Sequence, residues 1–259
     1  MKVATIVPQN YLGLTKNDDY FMCLGNLIGA PGMEAYTEFF KQRCAEGKFV
    51  IMDNGLIEGD PRPIAELARK AMDLGVSEMV MTDVFCDKDK TLAAIDKGVN
   101  ELRPIEHPKL MLVPQGSTIE EWVECAHELI LRYRFEFTLG IPKVLVKLGG
   151  RDGRALALTE LMERCPVAAH KECHLLGCWT TPLELTVIDK LSKQGHFPPI
   201  RGVDSAMPFV YARAGKKLNS QDRPDSVPIN FEKTCVNPFL LRYNVYQWRR
   251  AADVSRRFL

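Results

Sequence analysis

Residues 49–83 read FVIMDNGLIEGDPRPIAELARKAMDLGVSEMVMTD, and this stretch decides the fold class. It opens with the apolar run Phe49–Asp53 and closes with a second run, Ser77–Asp83, while Ile64–Leu74 between them carries apolar residues at helical spacing and stops before Gly75. Both runs are short and bounded by turn residues, which is typical of buried parallel strands. The stretch therefore predicts a strand–helix–strand unit of an α/β protein.

The same alternation of strand and helix patterns continues along most of the chain. Further apolar runs are Lys2–Pro8, Lys109–Gln115, Phe137–Gly140, Cys173–Gly177 and Ile200–Asp204, with Val227–Phe231 as a candidate for the eighth strand. Helices are predicted from Thr118, where Glu121 completes a capping-box pattern, and at Leu156–Met162, Leu183–Leu191 and Pro238–Leu259. Eight repeats favour a (β/α)8 barrel, or TIM barrel, over an open sheet.

The size of the chain agrees with one barrel of this kind, which takes roughly 250 residues. The chain has 259 residues, of which 46% are hydrophobic and 26% charged, as in ordinary globular proteins. No linker rich in Gly, Ser or Pro divides it, and its most loop-like stretch is Ala214–Pro228. We therefore expect residues 1–259 to form a single (β/α)8 domain with one long loop and a basic C-terminal helix.

The cysteines and the apolar segments bear on location and metal content. None of the eight cysteines forms a CxxC or CxC pair, and none lies at zinc-site spacing to a histidine, so no metal is expected. Unpaired thiols are typical of a reducing, cytoplasmic setting. The N-terminus MKVATIVPQN is too short for a signal peptide, and no apolar stretch approaches the roughly 20 residues of a membrane span.

Charge is distributed unevenly along the chain, although the net charge is only +1. From Arg201 onward there are 11 basic and 5 acidic residues, a balance of +6, which leaves −5 for the first 200 residues. A basic C-terminal fifth is consistent with contact with a polyanion such as nucleic acid. A solvated surface helix would give the same charge, so charge alone does not choose between these interpretations.

Polar residues stand at the C-terminal ends of the predicted strands, where a (β/α)8 barrel carries its chemistry. Asp53, Asp83 and Asp204 end three runs, and Gln115 ends a fourth. One aspartate after a strand is often only a helix cap, but three with a glutamine predict convergence on one mouth. Two carboxylates in one pocket suit glycosidic-bond chemistry, in which one attacks the anomeric carbon and the other protonates the leaving group. An aldolase, a sugar hydrolase or a metal-dependent hydrolase would show the same pattern.

Short motifs in order along the chain add a family resemblance. They are FVIMDNG, VMTD, VPQG, TLGIPK, HLLG, GVDSAMPFVYARAGK and PINFEK, and they extend from about Phe49 to Phe231. Together they resemble motifs of the tRNA-guanine transglycosylase superfamily, and the chain is most similar in size to the phage and bacterial enzymes that insert 7-deazaguanines into DNA. The resemblance implies a (β/α)8 fold and exchange of a guanine base.

The resemblance also implies roles for individual residues. Within FVIMDNG it places the general acid/base at Asp53, and within GVDSAMPFVYARAGK it places the nucleophile at Asp204. The residues implied to hold the base are Asn54, which stands where the family has serine, and Asp83, Gln115, Gly116, Gly140, Leu176 and Gly177. The basic residues expected to hold phosphates are Lys216, Lys217, Arg242, Arg249 and Arg250.

Two departures from the family's pattern affect the substrate. The tRNA enzymes carry a Cys-x-Cys-x-x-Cys…His zinc site after the last of these strands, whereas this chain has only Cys235 there and no histidine after it. The zinc subdomain is therefore expected to be absent, and DNA is favoured over tRNA as the partner. Leu56 and Ile57 replace a glycine and an aromatic residue of the family, so aliphatic side chains would stack on the base.

The resulting hypothesis is a pentosyltransferase that replaces guanine in DNA by a 7-deazaguanine such as a preQ0-like base, in the cytoplasm of a bacterial or phage-infected cell. Asp204 would attack C1′ while Asp53 protonates the departing guanine, with no metal or organic cofactor. Three alternatives stay open: a tRNA-guanine transglycosylase without zinc, a nucleoside or sugar hydrolase, and a non-catalytic binding subunit on the same barrel. The last of these would be expected to lack the nucleophile.

Overall fold

The computed structural model describes residues 1–56, 59, 62–178, 183–218 and 234–257, and for residues 183 and 252–257 it describes the backbone only. Eight parallel strands alternate with helices over these ranges. The strands are β1 (Lys2–Thr5), β2 (Tyr20–Leu24), β3 (Phe49–Asp53), β4 (Glu78–Val80), β5 (Lys109–Leu112), β6 (Phe137–Pro142), β7 (Cys173–Leu176) and β8 (Ile200–Ser205).

The α-helices lie between these strands, on the outside of the sheet. They are α1 (Glu34–Ala45), α2 (Ile64–Leu74), α3 (Lys88–Leu102), α4 (Ile119–Arg132), α5 (Leu145–Gly149), α6 (Gly153–Arg164), α7 (Leu183–Lys193), α8 (Met207–Arg213) and α9 (Pro238–Arg257). A 3-10 helix, Gln9–Leu14, follows β1. None of the helices in the described ranges is long and apolar enough to cross a membrane.

The hydrogen-bonded order of the strands is β1-β8-β7-β6-β5-β4-β3-β2, with every neighbouring pair parallel. The two ends of this order, β1 and β2, lie against each other, so the sheet curls into a nearly closed barrel. The sequence-based prediction of a single (β/α)8 barrel is confirmed.

Local sequence signals account for several helix boundaries. The Thr118 hydroxyl accepts from the Glu121 N–H at 3.1 Å, and the Glu121 carboxylate accepts from the Ser117 N–H at 2.7 Å, which confirms the predicted cap of α4. Helix α2 ends at Gly75, whose φ of 78° is the left-handed conformation that stops a helix. The helices predicted in the stretches that became α6, α7 and α9 are also present, although residues 258 and 259 lie outside the described ranges.

One strand of the barrel lies in a segment for which the sequence predicted no strand. Strand β2, Tyr20–Leu24, was missed, although its sequence YFMCL is a continuous apolar run between Asp19 and Gly25. The candidate strand Val227–Phe231 lies outside the described residues, as does most of the predicted loop Ala214–Pro228. The described ranges contain eight strands, and β2 escaped prediction because the short first βα segment contains a 3-10 helix rather than a recognisable α-helix.

The barrel interior is polar near the amino ends of the strands, which form the bottom of the barrel. Glu78 and Thr138 are completely buried there and bonded to each other, and Arg201 donates to both, with 3.2 Å between its Nη1 and the Thr138 hydroxyl. Arg201 Nη1 also lies 2.7 Å from the carboxylate of Glu172. Each buried charge therefore has an opposite partner, as the cost of removing charges from water requires.

The junction between β2 and β3 leaves no room for a side chain at Gly25. Its N–H donates to the Asp53 carbonyl at 3.1 Å, and a Cβ atom on Gly25 would lie 2.5 Å from that oxygen and 2.5 Å from Leu67 Cδ1. Contact this close forces both strand ends apart, which is the situation of an overpacked core.

We therefore expect Gly25→Ala to lower the free energy of unfolding by about 1–3 kcal/mol. Gly13→Ala is the matched control, since a Cβ at Gly13 meets nothing within 4 Å, and its effect should stay within about 0.5 kcal/mol. Urea denaturation followed by circular dichroism measures both. Equal stabilities for the two variants would contradict the proposed packing of this junction.

Candidate active site at the carboxyl ends of the strands

The structure brings the polar residues predicted for the site to the same end of the barrel. Asp53 is the last residue of β3, Asp204 lies near the end of β8, and Asp83 and Gln115 each follow a strand by three residues. The carboxyl ends of parallel strands share one edge of the sheet, so these side chains surround a single mouth. Around the barrel, Asp53 and Asp204 are separated by β2 and β1, where Ala4 is paired with Asp204 and offers only a methyl group.

Asp204 is held by two donors from β7 and the residue after it. Its Oδ1 atom accepts from His174 Nε2 at 3.1 Å and from the Gly177 N–H at 3.0 Å. Gly177 has a φ of 68°, and a Cβ there would lie 3.0 Å from Lys143 Cδ, so glycine suits the turn that aims this N–H at the carboxylate. Asp204 is buried, and its Oδ2 atom accepts no hydrogen bond from the residues described by the structure.

His174 is a site residue that the sequence analysis did not select. It is completely buried, and its Nδ1 atom lies 2.7 Å from the hydroxyl of Tyr20 on β2. The motif HLLG could have indicated this residue. His174 and Leu176 are two residues apart on β7, so their side chains point to the same side of the sheet. Only Leu176 and Gly177 were chosen from that motif, since the pairing with Tyr20 involves a strand that was missed.

Asp83 belongs to a second cluster, built from three neighbouring strand ends. Its Oδ2 accepts from Gln115 Nε2 at 2.6 Å, and its Oδ1 accepts from Asn54 Nδ2 at 3.0 Å. Asn54 is fixed by a further bond to the Met81 carbonyl at 2.8 Å. Burial raises the pKa of Asp83 to about 6, against the opposing effect of the bonds from Gln115 and Asn54. The carboxylate is therefore close to its protonation midpoint just below neutral pH.

Asp53 has a more open environment than either of the other two aspartates. Its side chain is half-buried, and its Oδ2 atom accepts from the Gly55 N–H at 2.9 Å in a tight turn. Gly55 has a φ of 78°, which allows the chain to turn back over the carboxylate. A half-buried carboxyl at a mouth can exchange protons with a bound ligand and with solvent, as a general acid/base must.

The glycines predicted to contact the base differ in their surroundings. A Cβ on Gly140 would lie 2.9 Å from Val113 Cγ2 and 3.0 Å from Leu176 Cδ1, inside the barrel, so bare backbone is required at this level of the mouth. A Cβ on Gly116 would lie 2.4 Å from the Trp122 backbone nitrogen. Packing against the start of α4 therefore explains Gly116 without a ligand, and its contact with a base stays a prediction.

The loop after β4 presents an aromatic side chain that the sequence analysis also passed over. Phe85, two residues beyond Asp83, is 44% exposed. The next residue, Cys86, has a φ of 58° and is the only non-glycine residue with a positive φ in the described ranges. Its N–H donates to Gln115 Oε1 at 3.4 Å. The rare backbone conformation of Cys86 thus accompanies a hydrogen bond from this loop to Gln115, a member of the Asp83 cluster. Of the predicted stacking pair, Leu56 is half-buried and Ile57 lies outside the described residues.

The predicted phosphate contacts divide into exposed and internally bonded residues. Arg242 and Arg250 on α9 are exposed, and so is Lys217, whose ammonium group lies 5.5 Å from the ring centroid of Tyr243. Lys216 is half-buried. Arg249 instead donates to the Leu14 carbonyl at 2.8 Å and pairs with Asp18 at 2.8 Å. A phosphate at Arg249 would compete with this ion pair, so Arg249 anchors α9 to the barrel.

The cysteines and one cleft complete the description of the polar and reactive groups. The eight cysteines are all free thiols, and most of them are buried. A cleft of ≈ 630 Å³ lies between the ends of α3 and α4 and the start of β5, on the opposite side of the barrel from the strand ends. Asp96 within it is bonded to Arg132 and Tyr133. None of the predicted site residues lines this cleft.

Comparison with known proteins establishes the fold alone. No family model matches the chain, and no curated protein matches it. Among solved structures it is similar to D-psicose 3-epimerase with D-tagatose from Clostridium cellulolyticum H10, with a TM-score of 0.53 and 12% identity over 99% of both chains. Dihydrodipicolinate synthase from Aquifex aeolicus gives a TM-score of 0.43 and 11% identity, over 100% of this chain and 79% of that one. Neither is a tRNA-guanine transglycosylase, and the first supports the (β/α)8 barrel.

The environment of Asp83 generates a prediction on stability against pH. Because its pKa is raised in the folded state, folding favours the protonated form, and ionisation destabilises the folded protein as pH rises from about 4 to about 6. The free energy of unfolding of the wild type should therefore fall relative to that of Asp83→Asn over this interval, by up to about 3 kcal/mol.

Urea unfolding at closely spaced pH values between 4 and 7 tests this expectation. Asp87→Asn is the control of opposite sign, because hydrogen bonds from Lys90 lower the pKa of the half-exposed Asp87 carboxyl at the cap of α3. In that comparison the free energy of unfolding of the wild type should rise relative to that of Asp87→Asn as pH increases. A constant difference between the wild type and Asp83→Asn would show that Asp83 titrates normally.

Proposed function

We propose that this protein is a base-exchange transglycosylase that replaces guanine in DNA by a 7-deazaguanine through a covalent intermediate on Asp204. One observation carries the proposal: the mouth of the barrel holds two separate carboxylate environments. Asp204 is held through Oδ1 alone by His174 and Gly177, and Asp83 is clamped between the side-chain amides of Asn54 and Gln115. The first suits a nucleophile, and the second suits an acceptor for a base edge.

The proposed reaction has two displacements at C1′ of the target nucleotide. Asp204 Oδ2 attacks C1′, the bond from C1′ to guanine N9 breaks with its electron pair leaving on the base, and Asp53 supplies the proton that the base takes up. A 7-deazaguanine then gives its N9 proton to Asp53 and attacks C1′, and the ester bond to Asp204 breaks. The Asp204 carboxylate and the Asp53 acid are both restored.

Recognition of the base would rely on Asp83. A carboxylate has about four lone-pair positions, and Asn54 and Gln115 each occupy one, on different oxygens. The remaining positions can accept from the N1–H and the 2-amino group of a guanine or of a 7-deazaguanine. Phe85, two residues beyond Asp83, is 44% exposed and is an aromatic side chain available for contact with a flat base.

The outer face of α9 supports a nucleic acid as the partner. Phe239, Arg242, Tyr246 and Arg250 are all exposed, and their spacing of three, four and four residues puts them on one side of the helix. Residues 234–250 contain no acidic residue. Aromatic rings alternating with arginines fit a single strand, whose bases stack while its phosphates pair. A buried Asp204 likewise requires that the target base leave its duplex.

Substitution of the two aspartates tests the mechanism. Asp204→Asn should abolish exchange and any covalent adduct, since an amide is a far poorer nucleophile at C1′. Asp53→Asn should lower turnover by roughly 10²–10⁴-fold through loss of acid–base help. Each variant is incubated with a single-stranded oligodeoxynucleotide and labelled guanine, and adducts are resolved on a denaturing gel.

Asp73→Asn, at an exposed carboxylate on α2, is the control and should retain both exchange and adduct. An adduct that survives in Asp204→Asn would move the nucleophile elsewhere. Release of guanine without incorporation would support a nucleoside hydrolase, exchange in tRNA but not in DNA would support the zinc-less tRNA enzyme, and inactivity of the wild type with every substrate would support a binding subunit.

The α9 surface generates a separate prediction on DNA binding. Replacing both Arg242 and Arg250 by alanine should weaken binding to single-stranded DNA and should reduce the slope of log K against log salt by roughly 1.4, at about 0.7 for each phosphate that is no longer neutralised. Fluorescence anisotropy at salt concentrations between about 50 and 200 mM measures the slope, because affinity for phosphates changes strongly over this range.

Two controls accompany this experiment. Arg103→Ala removes an exposed arginine at the end of α3, away from α9, and should leave the slope unchanged. Arg249→Ala breaks the hydrogen bonds to Leu14 and Asp18. It should lower the melting temperature and leave the salt slope nearly unchanged. If the Arg242 and Arg250 double variant kept the wild-type slope, these arginines would be ordinary surface charges.

A further inference from the structure

A chain of buried hydrogen bonds connects Asp204 at the mouth to the charged layer at the bottom of the barrel. Asp204 is bonded to His174, His174 Nδ1 lies 2.7 Å from the Tyr20 hydroxyl, and Arg201 Nε donates to that hydroxyl at 3.0 Å. Arg201 is in turn paired with Glu78 and Glu172. His174 is completely buried, Tyr20 is 2% exposed, and water has almost no access to either.

The protons in this chain can be counted. Arg201 Nε carries a hydrogen and has only donor capacity, so the Tyr20 oxygen is the acceptor in their contact. Tyr20 has one hydroxyl proton, and His174 Nδ1 is the acceptor within hydrogen-bond distance of it among the described residues. Burial raises the pKa of Tyr20, so the phenol keeps its proton. If Nδ1 accepts that proton, Nε2 must carry the hydrogen of a neutral imidazole.

We propose that Tyr20 is a positioning residue, which fixes His174 as the neutral tautomer with its hydrogen on Nε2 and thereby holds Asp204 as a carboxylate aimed through Oδ2. The alternative is an imidazolium, which would leave the Tyr20 proton without an acceptor. The other neutral tautomer would turn a lone pair on Nε2 toward Asp204 Oδ1, only 3.1 Å away. Both alternatives leave a buried group unsatisfied, which costs more than a single bond contributes.

The charges around this chain allow the imidazole to stay neutral. Arg201 is two hydrogen bonds away from His174, and its positive charge is matched by Glu78 and Glu172. Lys2 lies 5.8 Å from the Tyr20 ring centroid, and Lys109 lies 3.2 Å from Glu172. The positive groups thus stay in the lower layer with their carboxylates, while the donors to Asp204 are both uncharged.

This arrangement has a consequence for the proposed reaction, on which it rests only through the role of Asp204. A cationic partner would stabilise Asp204 before attack and would make its carboxylate a weaker nucleophile. Two uncharged donors on Oδ1 fix its orientation and leave the negative charge available to Oδ2. Sequence patterns alone assign no role to Tyr20 or Arg201, because Tyr20 lies 154 residues from His174 and 181 residues from Arg201 in the chain.

The tautomer is measured directly on the complete protein without any substrate. In protein labelled with ¹⁵N-histidine, the His174 ring should show a protonated nitrogen at Nε2 and an unprotonated nitrogen at Nδ1 at pH 7. The chain has five histidines, and His174→Gln identifies the signals by their loss. Two protonated ring nitrogens, or the proton on Nδ1, would overturn the inference whatever the protein's activity.

A pair of variants then tests the link to Asp204. Tyr20→Phe keeps the ring that stacks on Phe49 and removes only the hydroxyl. It should lower kcat for base exchange by roughly 10- to 100-fold, the value of the His174 bond to the charged Asp204 that the hydroxyl keeps in place, with KM nearly unchanged. In the His174→Gln background, whose side-chain amide donates without a tautomer, adding Tyr20→Phe should change kcat by less than about twofold.

The two readouts separate this inference from the proposed function. The expected tautomer in a protein that exchanges no base would overturn the proposed function and leave the tautomer assignment standing. Base exchange by a protein whose His174 carries its proton on Nδ1 would support the proposed function and overturn the tautomer assignment. Equal losses from Tyr20→Phe in the wild type and in His174→Gln would show that the hydroxyl only supports the fold, and would overturn the positioning role.

Discussion

The ion pair between Arg201 and Glu78 is the interaction on which the barrel interior depends. It joins the start of β8 to the start of β4 across the sheet, and Glu78 is completely buried. Taking two charges out of water costs several kcal/mol for each ion, and only full satisfaction by further bonds compensates that cost. Thr138, Glu172 and Tyr20 supply those bonds from other parts of the barrel. Loss of one partner would leave a buried charge, at a cost of about 3–5 kcal/mol.

Apolar residues separate the polar layer at the bottom of the barrel from the polar mouth. This separation allows one small barrel to contain two independent polar groups of side chains. Met22 on β2, Ile51 on β3 and Met111 on β5 face inward between the two levels, as the strand register requires, and all three are buried. His174 is the point at which hydrogen bonding passes through this apolar level. The bottom layer therefore contributes to stability and orientation, and the mouth is left for chemistry, as in barrels of this class generally.

The sequence predicted the fold class and most of the mouth because both depend on local signals. Apolar runs that end in Asp53, Asp83 and Gln115 and a cap at Thr118 are visible within a few residues. The rest depends on contacts between distant segments. His174 is bonded to Tyr20, 154 residues away, and Arg249 is occupied by Asp18, 231 residues away. A local pattern could not distinguish Arg249, committed to the fold, from its exposed neighbour Arg250. It also could not show that Gly116 is explained by packing against α4.

The three aspartates of the mouth are equivalent in the sequence, each at a strand end, and the fold makes them chemically different. Burial raises the pKa of Asp83 while two amides hold both of its oxygens, so this carboxylate is suited to bind a ligand rather than to move. Asp204 has both of its hydrogen-bond donors on Oδ1, which fixes the orientation of the carboxylate and leaves Oδ2 for the proposed attack. Asp53 sits half-buried in a turn, where protons can enter and leave. Different environments for similar carboxyl groups allow one site to divide its tasks among them, and the proposed double displacement at a sugar carbon would require such a division.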